Sequence, residues 1–525
     1  MKGNTKMKYS KLALLISAAL LTSAGAYAGG NEADVSQEGE LNTAVVVQQS
    51  NSVANSATIE QLGNNNLSTI LQAETANSQA SSNQEGNDNT SLIDQHNATS
   101  TASASVKSVG DGNKADVAQE FYNGENAQAT VNQNGSGNLA TITQNNGDGA
   151  QSTVNQTGSE DTAEVYNHWS DYADATINQS GNSNNNAYIQ QEASDAASAT
   201  LTQTGSNNDG DILQNNQNYG GSGSDDTIAT LEQVGNGNIG LVEQAGLSNM
   251  ADVYQNGESN DAHVTQTGGN HEAQVNQYGL NQAATVMQMD FDHVATVNQS
   301  NEGNTATVTQ SALTLGNGNG NGNGNSGTGN NATVDQEGMN DTATVTQAGF
   351  ANEAVVFQGE YSFDNTITIT QSGHHNYAGG STDDGGLSTV TVNQTGHHNE
   401  VNSKPNGSNF YGEGIGAGTW GANNIVTVDQ DGHHNKAYAD AADTSIIDID
   451  QSGHHNEAYA QSEWGVANEI DIDQTGGNHF ADVYVSGDLE GDGSNMVYVT
   501  QTDINNSAVV SSIGFGNTVT ITQGM

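Results

Sequence analysis

The sequence predicts an all-β protein, a long β-solenoid of about 20 rungs with two short strands in each rung. Three observations predict this fold: a Gln recurs every eleven residues, the residues in between alternate in polarity, and a Gly lies two places after most of these Gln residues. The stretch with the strictest period carries eight such residues: Gln233, Gln244, Gln255, Gln266, Gln277, Gln288, Gln299 and Gln310.

Each repeat follows the pattern Q-x-G-x-x-N-x-A-x-V-x-Q, as in the segment QAGLSNMADVYQ at 244–255. Asn249, Ala251 and Val253 share the parity of the closing Gln, so all four side chains point to the same face of an extended strand. Such alternation is typical of a half-buried strand, and the Gly among polar residues indicates a tight turn. Two repeats, about 22 residues, therefore predict one rung.

The predicted inner face combines small apolar side chains with amides. A lone buried amide is costly, but identical amides stacked in register can bond to the rungs above and below, as in amyloid. We therefore expect parallel, in-register stacking with a structural ladder made by the eight Gln residues together with Asn238, Asn249 and Asn260. Because one repeat buries too little apolar surface to offset the lost backbone entropy, folding should be templated by an existing rung.

The composition favours a structural protein over an enzyme. The 525 residues include 63 Gly, one Pro, no Cys and no Arg, and aromatic residues make up 5%. Low hydrophobicity with high net charge usually predicts disorder, and a disordered Asn/Gln-rich tract is the alternative, but such a tract needs no fixed period. No catalytic set stands out, and we predict neither an enzyme nor a cofactor.

The charge excludes one class of partner. All 60 acidic residues lie beyond residue 28 and only four lysines accompany them there, which leaves a net charge of −56 on that part of the chain. This charge excludes nucleic acid as a natural partner and disfavours anionic membranes. It should also keep unassembled chains apart, an effect that salt or divalent cations weaken.

The first residues predict export. Residues 1–28 have the layout of a secretory signal peptide, with four lysines, an apolar run from Leu12 to Leu21 and an A-x-A cleavage pattern at 26–28. The apolar run is too short to span a bilayer, and no transmembrane segment is expected elsewhere. We therefore expect an extracellular protein.

The remaining chain divides into two repeat regions, with a short leader before them and insertions where the repeat is interrupted. A short leader at 29–36 precedes repeats at 37–310, where Ser108 and Asn167 stand in two Gln positions. A Gly/Asn-rich insertion loop at 311–335 separates these from the repeats at 336–525, which carry further insertions at 376–388 and 402–422. Because the first and last repeats lack the polar caps of monomeric solenoids, we expect unpaired strand edges at both ends that template the addition of another chain.

The repeats resemble those of the curlin family, the subunits of bacterial curli fibres, as in the segment QNGSGNLATITQ at 133–144. The resemblance covers nearly all of residues 37–523. It implies an extracellular functional amyloid for adhesion and biofilm matrix, with the chain itself, a nucleating curlin-like subunit and an outer-membrane secretion pore as partners. The chain departs from the family in having more rungs and a shorter leader, and the resemblance leaves open whether it is a major or a minor subunit.

A Gly-His-His-Asn motif occurs four times in the last third of the chain. Spacings of 23 and 21 residues within the first and last pairs of motifs suggest one motif per rung. Their side chains are either polar turn residues or candidate ligands for Zn²⁺ or Cu²⁺. The candidates are His374, His375, His397, His398, His433, His434, His454 and His455.

Acidic strands give the second functional alternative. The segments Ile447–Gln451 and Ile470–Gln474 alternate Ile with Asp, which places carboxylates in outward rows that are either solvated or coordinate Ca²⁺. The chain is then either a self-assembling fibre subunit or a monomeric acidic β-solenoid that serves as an adhesin or an ion-binding surface protein. A soluble, folded monomer would favour the second.

Overall fold

The computed structural model describes residues 30–49, 52–97, 101–120, 126–215, 226–312, 329–402, 415–487 and 494–524. The predicted signal peptide, most of the insertion at 311–335, and Pro405 lie outside these residues. The described chain contains no helix and is 72% strand.

Strands pair in parallel with the strand one rung further along, so the chain winds between two stacked sheets. The first sheet contains Glu32–Glu38, Ser56–Leu62, Gln79–Glu85, Ser103–Val109, Gln128–Ser136, Gln151–Ser159, Asp174–Ser183, Ser198–Ser206, Ile228–Asn236, Met250–Glu258, Glu272–Leu280, Val294–Glu302, Asn331–Gln336, Glu353–Gln358, Tyr377–Asp383, Glu400–Val401, Ala417–Trp420, Lys436–Ala442, Glu457–Glu463, Phe480–Ser486 and Ser507–Ile513. The second sheet contains Thr43–Gln48, Leu67–Ala73, Thr90–His96, Lys114–Glu120, Leu139–Asn145, Thr162–His168, Asn186–Glu192, Asp209–Asn215, Ile239–Leu247, Asp261–Gly269, Ala283–Phe291, Thr305–Ser311, Thr342–Phe350, Thr366–His374, Thr389–His397, Ile425–His433, Ile446–His454, Glu469–Gly477, Met496–Ile504 and Thr518–Gln523. A two-residue pair, Ser362–Phe363 with Gly385–Gly386, lies beside them.

This arrangement confirms the predicted all-β solenoid with two strands per rung. The second sheet contributes 20 strands, and the chain makes about 19 turns. The described rungs stack in register, apart from a shift between Gly181 and Ser183. Met250 to Glu258, for example, pair one to one with Glu272 to Leu280, and Gln255 therefore lies directly over Gln277.

The core is a thin layer between the two sheets. Ala251 and Val253 are buried, whereas Asp252 between them is exposed, and the same alternation recurs along both sheets. In most rungs Ala therefore forms one column and Val, Ile or Leu the next. In the C-terminal rungs the second sheet carries Ile or Val in the Ala column, from Ile367 to Val519, while the first sheet carries small residues in the Val column, from Gly380 to Ala460. The period-2 pattern that predicts a strand is thus realised with the apolar face inward.

The insertion predicted at 376–388 is wrong in part. Tyr377–Asp383 is a strand of the first sheet, paired in register with Glu353–Gln358, and within 402–422 the strand Ala417–Trp420 continues the same sheet. These segments lack the apolar alternation because Gly and Ser occupy their positions, but the flanking rungs hold their backbone in register. The first strand, Glu32–Glu38, also begins within the segment assigned to the leader.

Candidate functional site

Two ladders of Gln side chains run through the inside of the solenoid, one along each sheet. In the first sheet, the Nε2 atoms of Gln233, Gln255 and Gln277 each lie 2.9 Å from the Oε1 atom of the Gln one rung on. The second sheet repeats this spacing from Gln244 through Gln266, Gln288 and Gln310. All eight Gln residues of the strict period, Gln299 included, are buried.

Each Gln also ties the two sheets together. Gln255 Nε2 donates a second hydrogen bond to the backbone carbonyl of Ile239 in the opposite sheet, at 2.8 Å. Its Oε1 atom accepts from Gln233. Both N–H groups and the carbonyl oxygen are therefore satisfied, which removes the penalty that an unpaired buried amide would carry.

The Asn residues hold the corners between strands. Asn238 Oδ1 accepts a hydrogen bond of 3.1 Å from the backbone N–H of Asn260 one rung on, and Asn238 Nδ2 donates to the carbonyl of Gly257 at 3.2 Å. Asn249 makes the same two bonds at the other corner, to His271 and Gly268. The Asn ladder thus fixes the turns while the Gln ladder fixes the strands.

The same corner positions contain buried histidines that were not among the predicted site residues. His271 and His293 replace Asn in consecutive rungs, and their rings stack with centroids 5.3 Å apart. Nδ1 of His293 accepts the backbone N–H of Asn330 at 3.0 Å, as Asn Oδ1 does elsewhere. Burial is the main cause and the neighbouring His271 is the second cause that lower the pKa of His293 to about 4. The eleven-residue register is the sequence signal that could have placed these two residues in the ladder, because they occupy the Asn position of the repeat.

The Gln ladder of the first sheet stops at Gln358. In the following rungs its position is taken by Thr382, Thr419, Ala441 and Ser462. The second sheet keeps Gln at this position from Gln191 to the last rung. The C-terminal rungs therefore rely on one Gln ladder instead of two.

Close stacking at the turns requires Gly. Gly257 has a φ of 146°, and a Cβ atom there would overlap the carbonyl oxygen of Gly279 in the next rung. Backbones of adjacent turns approach this closely along most of the solenoid, so the recurring Gly is a steric requirement and not only a turn preference.

Both end rungs have an unpaired edge within the described chain. Glu32–Glu38 pairs only with Ser56–Leu62, and Thr518–Gln523 pairs only with Met496–Ile504. Val35, which occupies an inward position, is 46% exposed because no described residue covers it. The backbone N–H and C=O groups of these edges are free to pair with another strand.

The four Gly-His-His-Asn motifs lie in consecutive rungs, although an insertion separates the second from the third. His374, His397, His433 and His454 are aligned in the second sheet. The second histidine of each motif forms a parallel row, with ring centroids 4.9 Å apart from His375 to His455. A groove of about 450 Å³ runs between the rows from Phe350 to His434.

The acidic strands bring carboxylates together on the outer face. Asp429, Asp450 and Asp473 are aligned in three successive rungs, and Asp448 lies beside them over Asp471. Burial is the main cause and the neighbouring carboxylates are the second cause that raise the pKa of Asp450 to about 6. In the described residues, no group of three or more His, Cys, Asp or Glu side chains could hold a metal ion, neither here nor in the histidine rows.

Sequence comparison identifies the repeat itself. Residues 248–279, 326–349 and 364–396 match the model of the curlin-associated repeat. The chain contains curlin-associated repeats. The first match spans rungs that carry both the Gln and the Asn ladders. No curated protein matches the chain.

The curlin repeat and the solenoid together fit a structural subunit of curli type. Curlin-repeat proteins form a structural family and not an enzymatic one, and the family's members are extracellular fibre subunits. The described residues include no helix with the length and apolar character needed to cross a lipid bilayer.

Proposed function

We propose that the chain is a secreted structural subunit that assembles by templated rung stacking into extracellular curli-like amyloid fibres for cell adhesion and biofilm matrix. The observation that carries the proposal is the combination of in-register Gln ladders with an unpaired edge at each end rung. Each copy would add 20 rungs, roughly 100 Å at about 4.8 Å per rung.

The register inside the chain specifies how two copies would join. The strands Ser507–Ile513 and Thr518–Gln523 of one copy would stack on Glu32–Glu38 and Thr43–Gln48 of the next. This junction sets Val510 over Val35 and Ile521 over Val46, so the apolar columns continue without a break.

The ladders also give the junction a direction. Along the chain, Nε2 of each Gln donates to the Gln one rung on, as Gln501 does to Gln523 at 2.8 Å. Gln523 therefore directs an N–H group beyond the last rung, and Gln48 offers its Oε1 atom below the first. Donor meets acceptor only when copies stack head to tail.

A buried hydroxyl at the last rung supports the same junction. Ser512 Oγ is buried and has no hydrogen-bond partner among the described residues. In the proposed junction it would face Gln37 of the next copy. Within the chain, Ser108 Oγ makes this same contact with Gln133 Oε1, at 3.0 Å.

Seeded assembly tests the proposal. Residues 29–525 would be diluted from denaturant with and without preformed fibres and followed by thioflavin fluorescence and fibre diffraction. We expect a lag that seeds abolish and a meridional reflection near 4.7–4.8 Å. A β-rich monomer that neither nucleates nor responds to seeds would refute the fibre and favour the monomeric acidic adhesin.

A matched pair of variants tests the role of the end rung. Val35→Lys places a charge on the face that would be covered, whereas Val45→Lys places the same charge on the outer face of the same rung. Because burying an unpaired ammonium is very costly, Val35→Lys should stop seeded growth and Val45→Lys should leave it nearly unchanged. Equal growth of the two variants would contradict stacking at this edge.

Export, nucleation and adhesion complete the proposal. The signal peptide expected at 1–28 supports secretion, and the family resemblance supports a nucleating curlin-like subunit and an outer-membrane pore as partners. Fusion of residues 1–36 to a reporter enzyme would test secretion, with reporter retained in the cytoplasm as the contradicting result.

A further inference from the structure

The outer face of the second sheet carries a block of threonines that neither the amide ladders nor the proposed junction uses. Every second residue points outward in four neighbouring strands of this sheet: Thr305–Ser311, Thr342–Phe350, Thr366–His374 and Thr389–His397. The outward positions contain twelve threonines, which form the threonine array: Thr305, Thr307, Thr309, Thr342, Thr344, Thr346, Thr366, Thr368, Thr370, Thr389, Thr391 and Thr395. The array therefore faces what surrounds the protein.

Backbone register turns separate Thr-x-Thr segments into a two-dimensional grid. Thr307 is aligned with Thr344 and, one rung further on, with Thr368. Thr391 continues the same column. Each of the four strands is paired on both sides and without a register shift. The sheet thus holds the array in place from within and from both ends.

The grid has two fixed repeats. Neighbouring strands lie about 4.8 Å apart, and alternate residues along one strand lie about 6.6 Å apart. Threonine is stiff at χ1 because its Cβ atom is branched, so the hydroxyl and methyl groups keep these repeats. Water molecules on the prism faces of ice form a rectangular grid with similar repeats. The array can therefore hold water molecules close to the positions that they occupy in the crystal.

The array is uncharged, on a chain whose net charge beyond residue 28 is −56. Up to the turn glycines, the other outward residues of the four strands are Ser311, Ala348, Ser372 and Asn393. Acidic residues return one rung further on, where Asp429 is aligned with Asn393. Charged groups hold their own water strongly, so a face without them is the part of this surface best suited to an ordered layer of water.

The hydroxyl groups of the array are free to bind water. Among the described residues, none of the twelve hydroxyls makes a hydrogen bond to another protein group. On the outer face of the first sheet, in contrast, Asn276 donates to Asn298 at 2.9 Å. Dry packing of a second copy on the array would remove this water, and each hydroxyl left without a partner is costly. The array also lacks aromatic side chains on which a sugar ring could stack.

We propose that the threonine array binds ice through a layer of water that its hydroxyl and methyl groups hold in the repeats of the crystal. The contacts are individually weak, but the sheet fixes all of them in advance, so little conformational entropy is lost on binding. A chain with this face would adsorb to growing ice crystals and slow their growth.

Partial freezing tests the proposal on the full chain without residues 1–28. Half of a dilute solution is frozen slowly onto a seed crystal, and the protein in the ice and in the liquid is measured. A solute that does not bind is left in the liquid, whereas the parent chain should be enriched in the ice. Thr344→Lys combined with Thr368→Lys places two strongly hydrated ammonium groups at the centre of the array, and this variant should lose the enrichment.

The matched control makes the same chemical change on the other sheet. Thr296 and Thr333 are also outward threonines aligned in adjacent rungs, but they lie on the outer face of the first sheet. Thr296→Lys combined with Thr333→Lys should stay enriched in the ice like the parent. Enrichment of the array variant, or equal loss in the control, would overturn the assignment.

A further readout does not depend on how the variants fold. The array contains no lysine, so the parent chain can be labelled on its amines with a dye and offered to a single ice crystal. The dye should mark the prism planes, and a crystal without marked planes would refute the proposal. Exclusion of the parent from ice, together with weaker side-by-side association of the array variant, would assign the face to a second copy instead. Because the array lies in internal rungs, it forms whether or not copies stack end to end, and its failure would leave the fibre proposal intact.

Discussion

Replacement of one ladder Gln should be far more costly than replacement of a Gln on the outer face of the same strand. Gln277 accepts a hydrogen bond from Gln255 at 2.9 Å and donates to Gln299 at 2.9 Å and to the carbonyl of Asp261 at 2.8 Å. Gln277→Leu leaves those three partner groups unpaired in a buried layer. Gln274→Leu makes the same chemical change at an exposed position of the strand.

The magnitude follows from the number of partners. Each orphaned buried group costs about 1–3 kcal/mol, so three cost about 6 kcal/mol at the middle of that range. Burial of the Leu side chain returns about 2 kcal/mol. The net local loss is therefore about 4 kcal/mol, which corresponds to a several-hundredfold increase in the opening equilibrium at about 1.4 kcal/mol per tenfold. Gln274→Leu should stay within about 0.5 kcal/mol.

Amide hydrogen exchange measured by mass spectrometry is the suitable assay, because a solenoid opens locally and not all at once. Protection in Met250–Glu258, Glu272–Leu280 and Val294–Glu302 should fall by a few hundredfold in Gln277→Leu. Distant rungs such as Leu67–Ala73 should be unchanged. Equal protection in the Gln277→Leu and Gln274→Leu variants would refute the structural role of the ladder.

Three further predictions concern the turns and the titratable groups. Gly257→Ala should abolish exchange protection in its own rung, because the new Cβ would overlap a backbone oxygen, whereas Ser259→Ala in the same turn should be tolerated. The folded pKa of His293 is about 4, below its ordinary 6.5, so its stabilising neutral form is present in full above pH 6.5 and stability falls as the pH drops toward 4. His293→Asn should remove that part of the pH dependence of unfolding, and an unchanged profile would contradict it. The pKa of Asp450 is raised from 3.8 to about 6, so stability should rise as the pH falls through 6, and Asp450→Asn should raise the unfolding midpoint at pH 7 but not at pH 4.

The period and parity of the sequence were sufficient to predict the solenoid and its inner face. The eleven-residue spacing puts Gln244 and Gln266 two repeats apart, and two repeats are one rung, so stacking of identical residues follows directly. Parity then decides that Val253 faces inward and Asp252 outward. These features depend only on local periodicity, which the sequence contains in full.

Features that depend on neighbouring rungs were harder to predict. Tyr377–Asp383 has no strand pattern of its own, and it is a strand because the rungs on either side supply partners for its backbone. The burial of His271 and His293 follows from the repeat register, but their residue type gave no sign of it. The four Gly-His-His-Asn motifs align in consecutive rungs although an insertion separates the second from the third. This alignment depends on where the chain returns to the sheet after the insertion, which the spacing in the sequence does not specify.

The register of the junction between copies is the most direct test of templated stacking. The chain has no Cys, so Thr520→Cys and Val45→Cys can be introduced together as the only thiols. Head-to-tail stacking places these two positions about 4.8 Å apart on the outer face, within the Cα separation of about 4.4–6.8 Å that a disulfide needs. Mild oxidation of fibres should then yield covalent multimers on a non-reducing gel. The control pair Thr520→Cys with Val47→Cys, about 8 Å apart in the same junction, should stay monomeric. Multimers from the control pair, or none from the first pair, would contradict in-register stacking of the end rungs.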